Sequence, residues 1–215
     1  MNFSNITVEI KQELIDVVGD NYCLTEKNSI EDYCHDETED LNFPPEVVIK
    51  PANTNEVSEI MKLASEYNIP VTPCGARTGL SGGALCVHGG IALSMERFNK
   101  IIQIDEDNLQ VVTQSAVITQ ELQEVVQEKG LYYAPDPSSR GTCFIGGNIA
   151  ENAGGPRAVK YGVTKDFVLN LEVVLPNGEV IETGANTLKN STGYNLTQLM
   201  VGSEGTLGIV TQATL

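Results

Sequence analysis

Residues 73–83, PCGARTGLSGG, place four glycines within nine positions directly after a short apolar run. Glycine adopts positive φ and lets other atoms approach the backbone, but each one costs conformational entropy on folding. A loop this rich in glycine is a turn, a close packing site or a place where main-chain groups hold a ligand. Its flanks narrow the choice. EVVIKP reads as a short buried strand ending at Pro51. Thr54 is predicted to cap a helix in which Val57, Ile60, Met61 and Ala64 recur at helical spacing. IPVTP is a second strand, and GGIALSM, beyond the glycine loop, is a third. Strand, helix, strand, glycine loop, strand makes a small α/β unit whose parallel strands bring the loop to one edge of the sheet.

Upstream, residues 6–18 put Ile10, Leu14, Val17 and Val18 on one helical stripe, with Gly19 as the stop. The next 25 residues are acidic and aperiodic, and read as a loop closed by Pro44 and Pro45. After Phe98 the pattern changes. IIQID and LQVVTQ flank the turn EDN and broadly alternate apolar with polar residues, each with one double-apolar break, which predicts a hairpin. Thr119 is predicted to cap a helix with Leu122, Val125 and Val126 inward and Gly130 as its stop. VLNLEVVLPNGEVIETG predicts another hairpin, with Leu169, Leu171 and Val173 on one face and Asn177-Gly178 as a two-residue turn. A helix around residues 195–200, the loop GSEGTLG and the strand IVTQATL follow. The expected class is α+β. An N-terminal helix and acidic loop occupy 1–40, a small parallel α/β part 41–98, and a larger antiparallel sheet with flanking helices 99–215. A last strand ending on Leu215 leads us to expect that the natural protein continues.

The formal net charge is −16, and the twelve acids and two lysines of residues 1–46 account for −10 of it. A solvated acidic face explains this, as does a partner-docking surface. Nucleic acid is disfavoured, because phosphate backbones reward clustered cations and only 13 Lys and Arg are present. No run approaches the ~20 apolar residues of a membrane span, and the N-terminus lacks a basic region followed by an apolar one, so a soluble cytoplasmic protein is expected. The cysteines at 23, 34, 74, 86 and 143 form no CxxC, which fits free thiols in a reducing compartment. His35 and His88 are far apart, so no metal cluster is read and each is taken as solvent-facing or hydrogen-bonded.

The first glycine loop matches neither GxxxxGK[ST] nor GxGxxG. Its amides are nevertheless able to converge on a phosphate, with Thr78 and Ser81 as hydroxyl donors and Arg77 as a cation; a ligand-free connection and a surface arginine are the plainer alternatives. A second segment, residues 135–155 (PDPSSRGTCFIGGNIAENAGG), offers Ser138, Ser139 and Thr142. There Gly146, Gly147, Gly154 and Gly155 bracket a short helical stretch, NIAENA. A tightly packed loop explains this too, but two such segments together point to a large cofactor between them. No acid–base constellation is evident; Asp36, Asp136 and Glu204 suit local structure or ribose contacts. The cysteines read as small buried residues, except that positive potential at the loop is expected to lower the pKa of Cys74.

These segments, with PDPSSRGTCFIGGNIAENAGGPRAVKYGV, LEVVLPNGEVI and GYNLTQLMVGSEGTLGIVTQATL, resemble the FAD-binding half of the FAD-linked oxidase family, whose domain is of the p-cresol methylhydroxylase (PCMH) type. The resemblance covers residues 41–215 and is nearest to the glycolate oxidase D subunit and D-lactate dehydrogenases. It implies that Pro73, Gly75, Ala76, Arg77, Thr78, Gly79, Gly82 and Gly83 wrap the FAD pyrophosphate. Pro137 and Ser138 are similar to positions beside the isoalloxazine ring, and Thr142, Gly146, Gly147, Asn152 and Gly154 to positions lining the cleft. Tyr161, Gly162 and Val168 match positions further along it, and Glu204, Gly208 and Ile209 the ribose and adenine end. Relatives often carry Arg or Gln at position 74 and Gly or Asn at 77, so Arg77 is read as a replacement cation. Covalent branches of the fold join histidine to flavin near the position of Thr78, so noncovalent FAD is expected here.

The resemblance further implies oxidation of a 2-hydroxy acid such as D-lactate or glycolate by hydride transfer to flavin N5. Electrons would pass to an electron-transfer flavoprotein or a quinone. A C-terminal substrate cap, with its arginine and metal-binding histidines, lies outside these 215 residues, and an exposed sheet edge makes a homo-oligomer an expectation. Cell-wall precursor reductases and ether-lipid synthases resemble the same domain, though the run 135–163 argues against both. The reading from another class is a flavin-binding electron-transfer or structural subunit without its own substrate site.

Overall fold

The computed structural model describes residues 3–215, and the chain divides into two compact units: Met1–Arg97 with Val174–Val180, and Phe98–Val173 with Ile181–Leu215. In the first unit, α1 (Val8–Val18) buries Ile10, Leu14 and Val18 and stops at Gly19, whose φ is 87°. The aperiodic stretch after it is not the loop predicted. It contains a two-residue strand β1 (Cys23–Leu24), a one-turn helix α2 (Lys27–Ile30) and two single 3₁₀ turns. Pieces this short carry no readable period.

β1 pairs antiparallel with β2 (Val47–Ile49), and β2, β4 (Ile91–Ser94) and β3 (Val71–Cys74) run parallel in the order β1-β2-β4-β3. Every residue of β2 and β4 is buried, as short uninterrupted apolar runs inside a parallel sheet should be. α3 (Thr54–Tyr67) joins β2 to β3. Its cap is Asn53, not Thr54: the Asn53 carboxamide accepts the Glu56 amide at 3.0 Å, while Glu56 accepts the Ala52 amide at 2.7 Å. Glu56 thus gives its amide to Asn53 and takes that of Ala52 just before it, which selects Asn53 and leaves Thr54 as the first helical residue. β3, at the sheet edge, delivers the chain at Cys74 into the glycine loop.

The second unit is built on a five-stranded sheet that contains β5 (Ile101–Asp105), β6 (Gln110–Gln114), β7 (Asn170–Val174), β8 (Val180–Glu182) and β9 (Ile209–Thr214), in the order β5-β6-β9-β7-β8. β5 and β6 form the expected hairpin. A register shift between Ile101 and Gln103 accounts for the double-apolar break there, because Ile102 is turned half-exposed at the irregularity. Residues 175–179 join β7 to β8, and the turn inside the Leu175–Glu179 hydrogen bond has three residues, Pro176 to Gly178, and not two. Gly178 donates to Leu175 and Leu175 to Glu179, with Gly178 at φ 83°.

α4 (Thr119–Glu128) ends in the expected glycine motif, with Gly130 donating to Gln127 and Leu131 to Val126. Thr119 does not cap it; Ile118 holds that place. The Thr119 hydroxyl instead points inward, accepting Asn148 Nδ2 at 2.6 Å. α5 (Ile145–Glu151) takes Gly146 and Gly147 into its first turn where the sequence placed them outside it. α6 (Ala158–Tyr161) and α7 (Leu196–Met200) are single short turns of helix. Among the described residues no helix is long and apolar enough to cross a membrane.

Candidate cofactor site

In the first unit the glycine loop leaves β3 at Cys74, and residues 75–79 are half-buried. Arg77 sits at φ 57°, in the left-handed region, so the run of amides changes hand there. Among the described residues the amides of Ala76, Arg77, Thr78 and Gly79 donate to no protein group. Half-buried unpaired donors beside a cation form an anion-binding concavity, so this loop fits a diphosphate. At Gly79 a Cβ would meet nothing within 4 Å, which leaves room against the chain.

The loop is braced by a segment with no periodic signal in the sequence, residues 33–38. The Arg77 guanidinium lies 4.3 Å from the centroid of the buried Tyr33 ring. Glu37 N–H donates to Gly79 O at 3.2 Å, and Gly82 N–H donates to Thr38 Oγ1 at 3.0 Å. Tyr33 is fixed in turn: its hydroxyl donates to Glu96 at 2.9 Å, and Lys50 donates to the same carboxylate at 2.8 Å. Burial works to raise the Glu96 carboxyl, but the bonds from Lys50, Tyr33 and Ser94 outweigh it and hold it below the ordinary range. The only signal for this brace was an aromatic residue and a cysteine set among acids.

Cys74 departs from expectation. Its thiol is pushed well up by a hydrogen bond with Cys86 and by burial, and the lowering effect of Arg77 is smaller than either. Cys86 moves the other way, held down by the bond with Cys74. All five cysteines are free and buried. His35 and His88 are exposed, His88 with its ring centroid 5.3 Å from that of Phe3.

In the second unit, Asp136 organises the segment that carries Pro137, Ser138 and Thr142. The buried Asp136 carboxylate pairs with Arg157 Nε at 3.1 Å and accepts the Arg157 amide at 3.3 Å. Gly155, at φ 133°, lies so close that a Cβ would stand 2.2 Å from Asp136 O. Ser138 and Thr142 are exposed, and Pro137 O accepts the Arg140 amide at 2.9 Å. A Cβ on Gly146 would stand 2.8 Å from Ser115 Cβ, whereas Gly147 faces open space.

The carboxyl end of α5 gathers several of the named residues. Asn152 closes the helix at φ 49° and its carboxamide accepts the Lys165 amide at 2.9 Å. Gly202 and Glu204 donate their amides to Ile149 and Ala150, which brings Glu204, Asn152 and the adjoining Gly154 to one place. Tyr161 is exposed and meets the Tyr132 ring edge-on at 5.7 Å. Gly162 follows it at φ 93°. Val168 and Ile209 are buried in the unit, and Gly208 is half-buried before β9. Among the described residues no group of His, Cys, Asp and Glu is placed to hold a metal ion.

A loop of unpaired amides on a parallel sheet edge, in a chain that also carries a five-stranded sheet, has counterparts among known proteins. The profile of the FAD binding domain matches residues 45–184. The chain belongs to that family. Its cofactor is FAD, and its fold is the PCMH-type α+β fold: p-cresol methylhydroxylase superposes with a TM-score of 0.81 at 22% identity over 96% of this chain and 42% of its own. Glycolate oxidase subunit GlcD of Bacillus subtilis is 47% identical over 97% of this chain and 44% of its own length. D-lactate dehydrogenase of Anaerostipes hadrus is 48% identical over 86% and 39%. The FAD-binding chain thus spans less than half the length of these relatives.

Proposed function

We propose that this chain is the flavin-holding part of a dehydrogenase that oxidises a small 2-hydroxy acid, D-lactate or glycolate. The observation that carries the reading is identity near one half, over almost all of the chain, to proteins named for those two acids. FAD, when bound, supplies the two-electron acceptor for a hydride leaving the substrate Cα. The chain's own residues hold and orient it. The free amides of residues 76–79 and the Arg77 guanidinium take the diphosphate, with Pro73, Gly75, Gly82 and Gly83 shaping the loop.

Pro137, Ser138, Thr142, Gly146 and Gly147 belong to the ring side of the site in this reading. Asn152, Gly154, Tyr161, Gly162 and Val168 line its length, and Glu204, Gly208 and Ile209 serve the ribose end. Residues 41–98 and 99–215 act as the two halves of the FAD-binding part, and a further substrate cap completes the enzyme. Thr78 gives no ring nitrogen for a flavin bond, so FAD is held noncovalently. The electrons leave to a flavoprotein or quinone in the cytoplasm.

The test uses the intact gene product loaded with FAD under anaerobic conditions. D-lactate or glycolate should bleach the absorption near 450 nm. A flavin that fills its site and stays yellow with every D- and L-2-hydroxy acid offered defeats the dehydrogenase assignment and favours an electron-transfer subunit. Yellow flavin that stays with acid-precipitated protein would contradict noncovalent binding.

A further inference from the structure

We infer that Asp36 and Thr38 are positioning residues for the cofactor: they clasp the glycine loop and set how its amides converge on the diphosphate. The inference rests on the flavin reading, and it gives a part in it to residues that precede the profile match at 45–184. A loop that holds an anion through main-chain amides gains affinity when those amides are fixed beforehand, because binding then orders less chain. The amides of Ala76 to Gly79 donate to no protein group among the described residues, and Arg77 stands in the left-handed region at φ 57°. Those amides do not fix the loop through bonds of their own, so its shape depends on what grips the residues around them.

The grip comes from a short closed turn of chain. Cys34 O accepts the Phe43 amide at 2.7 Å, which draws the two ends of residues 34–43 together. The buried Tyr33 just before it is tied to Glu96. Within this turn Asp36 Oδ1 accepts the Thr38 amide at 2.9 Å, the bond by which an aspartate shapes the backbone two residues on. That bond sets the course of residues 37 and 38, which touch the loop. Glu37 donates its amide to Gly79 O at 3.2 Å, and Thr38 Oγ1 accepts the Gly82 amide at 3.0 Å. Gly82 lies at φ 75°, so the hydroxyl of Thr38 holds the loop where its backbone is left-handed.

Asp36 also carries a cost to the fold, which makes its two effects separable. It is 8% exposed, and its Oδ2 is buried with no hydrogen-bond partner among the described residues. A buried carboxylate oxygen left unpaired destabilises the native state. Asparagine keeps an acceptor for the Thr38 amide and removes the charge. Stability and cofactor affinity therefore respond differently to substitution here.

The intact gene product and its variants are titrated with FAD by calorimetry. Amide exchange in residues 75–82 is followed by mass spectrometry without added FAD. Thr38→Val keeps the side-chain shape and loses the acceptor; it should weaken FAD about three- to tenfold and speed exchange in residues 75–82. Thr38→Ser should restore both. Asp36→Ala should act in the same direction as Thr38→Val, while Asp36→Asn should bind FAD like the wild type and melt no lower. A Thr38→Val protein that melts lower yet binds FAD as tightly as the wild type has lost only a structural contact, and overturns the inference. So does a Thr38→Ser protein as weak as Thr38→Val. If Thr38→Val fails to fold, Asp36→Ala set against Asp36→Asn decides the point, and equal FAD affinity in the two overturns it. A wild type that takes no FAD fells the flavin reading itself, whereas tight wild-type binding matched by Thr38→Val fells this inference alone.

Discussion

The two glycine-rich segments have similar composition and opposite surroundings. In the second unit, Gly146 and Gly155 are glycine because protein already fills the Cβ position, at 2.8 Å from Ser115 Cβ and 2.2 Å from Asp136 O. In the first unit, Gly79 has no neighbour within 4 Å of that position, and among the described residues the amides of Ala76 to Gly79 donate to no protein group. Glycine density therefore has two causes in one chain: close packing of protein on protein at Gly146 and Gly155, and backbone left open at Gly79 and, within the second segment, at Gly147.

The sharpest way to break that contrast is an alanine at each place. Gly155→Ala puts a methyl into a backbone carbonyl at a φ of 133° and should cost about 2–4 kcal/mol, seen as a lower denaturant midpoint or loss of soluble protein. Gly79→Ala should change stability by less than ~0.5 kcal/mol, because the methyl meets nothing. Its effect belongs in FAD affinity, measured by titration calorimetry, with a loss of about tenfold or ~1.4 kcal/mol. Equal destabilisation by the two variants would show that the loops do not differ as described.

Next in size is the cation on the open loop. Arg77→Ala should weaken FAD about tenfold, an effect that shrinks as salt is added, while the fold survives. Tyr33→Leu removes the ring beneath the guanidinium and should weaken FAD about three- to fivefold, in line with a cation–π contact of ~1 kcal/mol. Tyr33→Phe keeps the ring and should restore most of the loss. A double variant, Tyr33→Leu with Arg77→Ala, should bind no worse than Arg77→Ala alone if the tyrosine acts through the arginine. Strict additivity would assign Tyr33 a separate role.

The parts of the fold that were legible in the sequence are those set by local pattern. The buried runs VVI and IALS, the helix between them and the glycine stops at 19 and 130 follow from apolar spacing and backbone chemistry alone. The illegible parts depend on distant partners. Asn53 and Thr54 are both good caps, and the choice falls to a glutamate three residues on. Thr119 has the composition of a cap but is recruited inward by Asn148, 29 residues away. The brace at residues 33–38 has no period because the contacts by which Tyr33, Glu37 and Thr38 hold the loop reach residues far along the chain. The candidate loop followed the same rule: its glycine spacing was visible, and the residues that brace it were not.

The smallest expected effect lies in that brace, and it is a matter of pH. The Glu96 carboxyl is held below its usual value near 4.5, against the opposing effect of burial, by Lys50, Tyr33 and Ser94. A carboxyl depressed in the folded state contributes stability above its unfolded pKa and loses it as pH falls through the folded one. Glu96→Gln keeps a bond to Tyr33 but abandons the charge on Lys50, so the wild type should exceed the variant in stability from neutral pH down to about 4.5 and converge with it below. The Glu96 side chain is 39% exposed, so solvent screening limits the difference to about 0.5–1 kcal/mol. Melting curves of the two proteins between pH 3 and 7 check this. A gap that persists unchanged at pH 3 would mean that packing, and not the carboxylate charge, is what steadies Tyr33 beneath the loop.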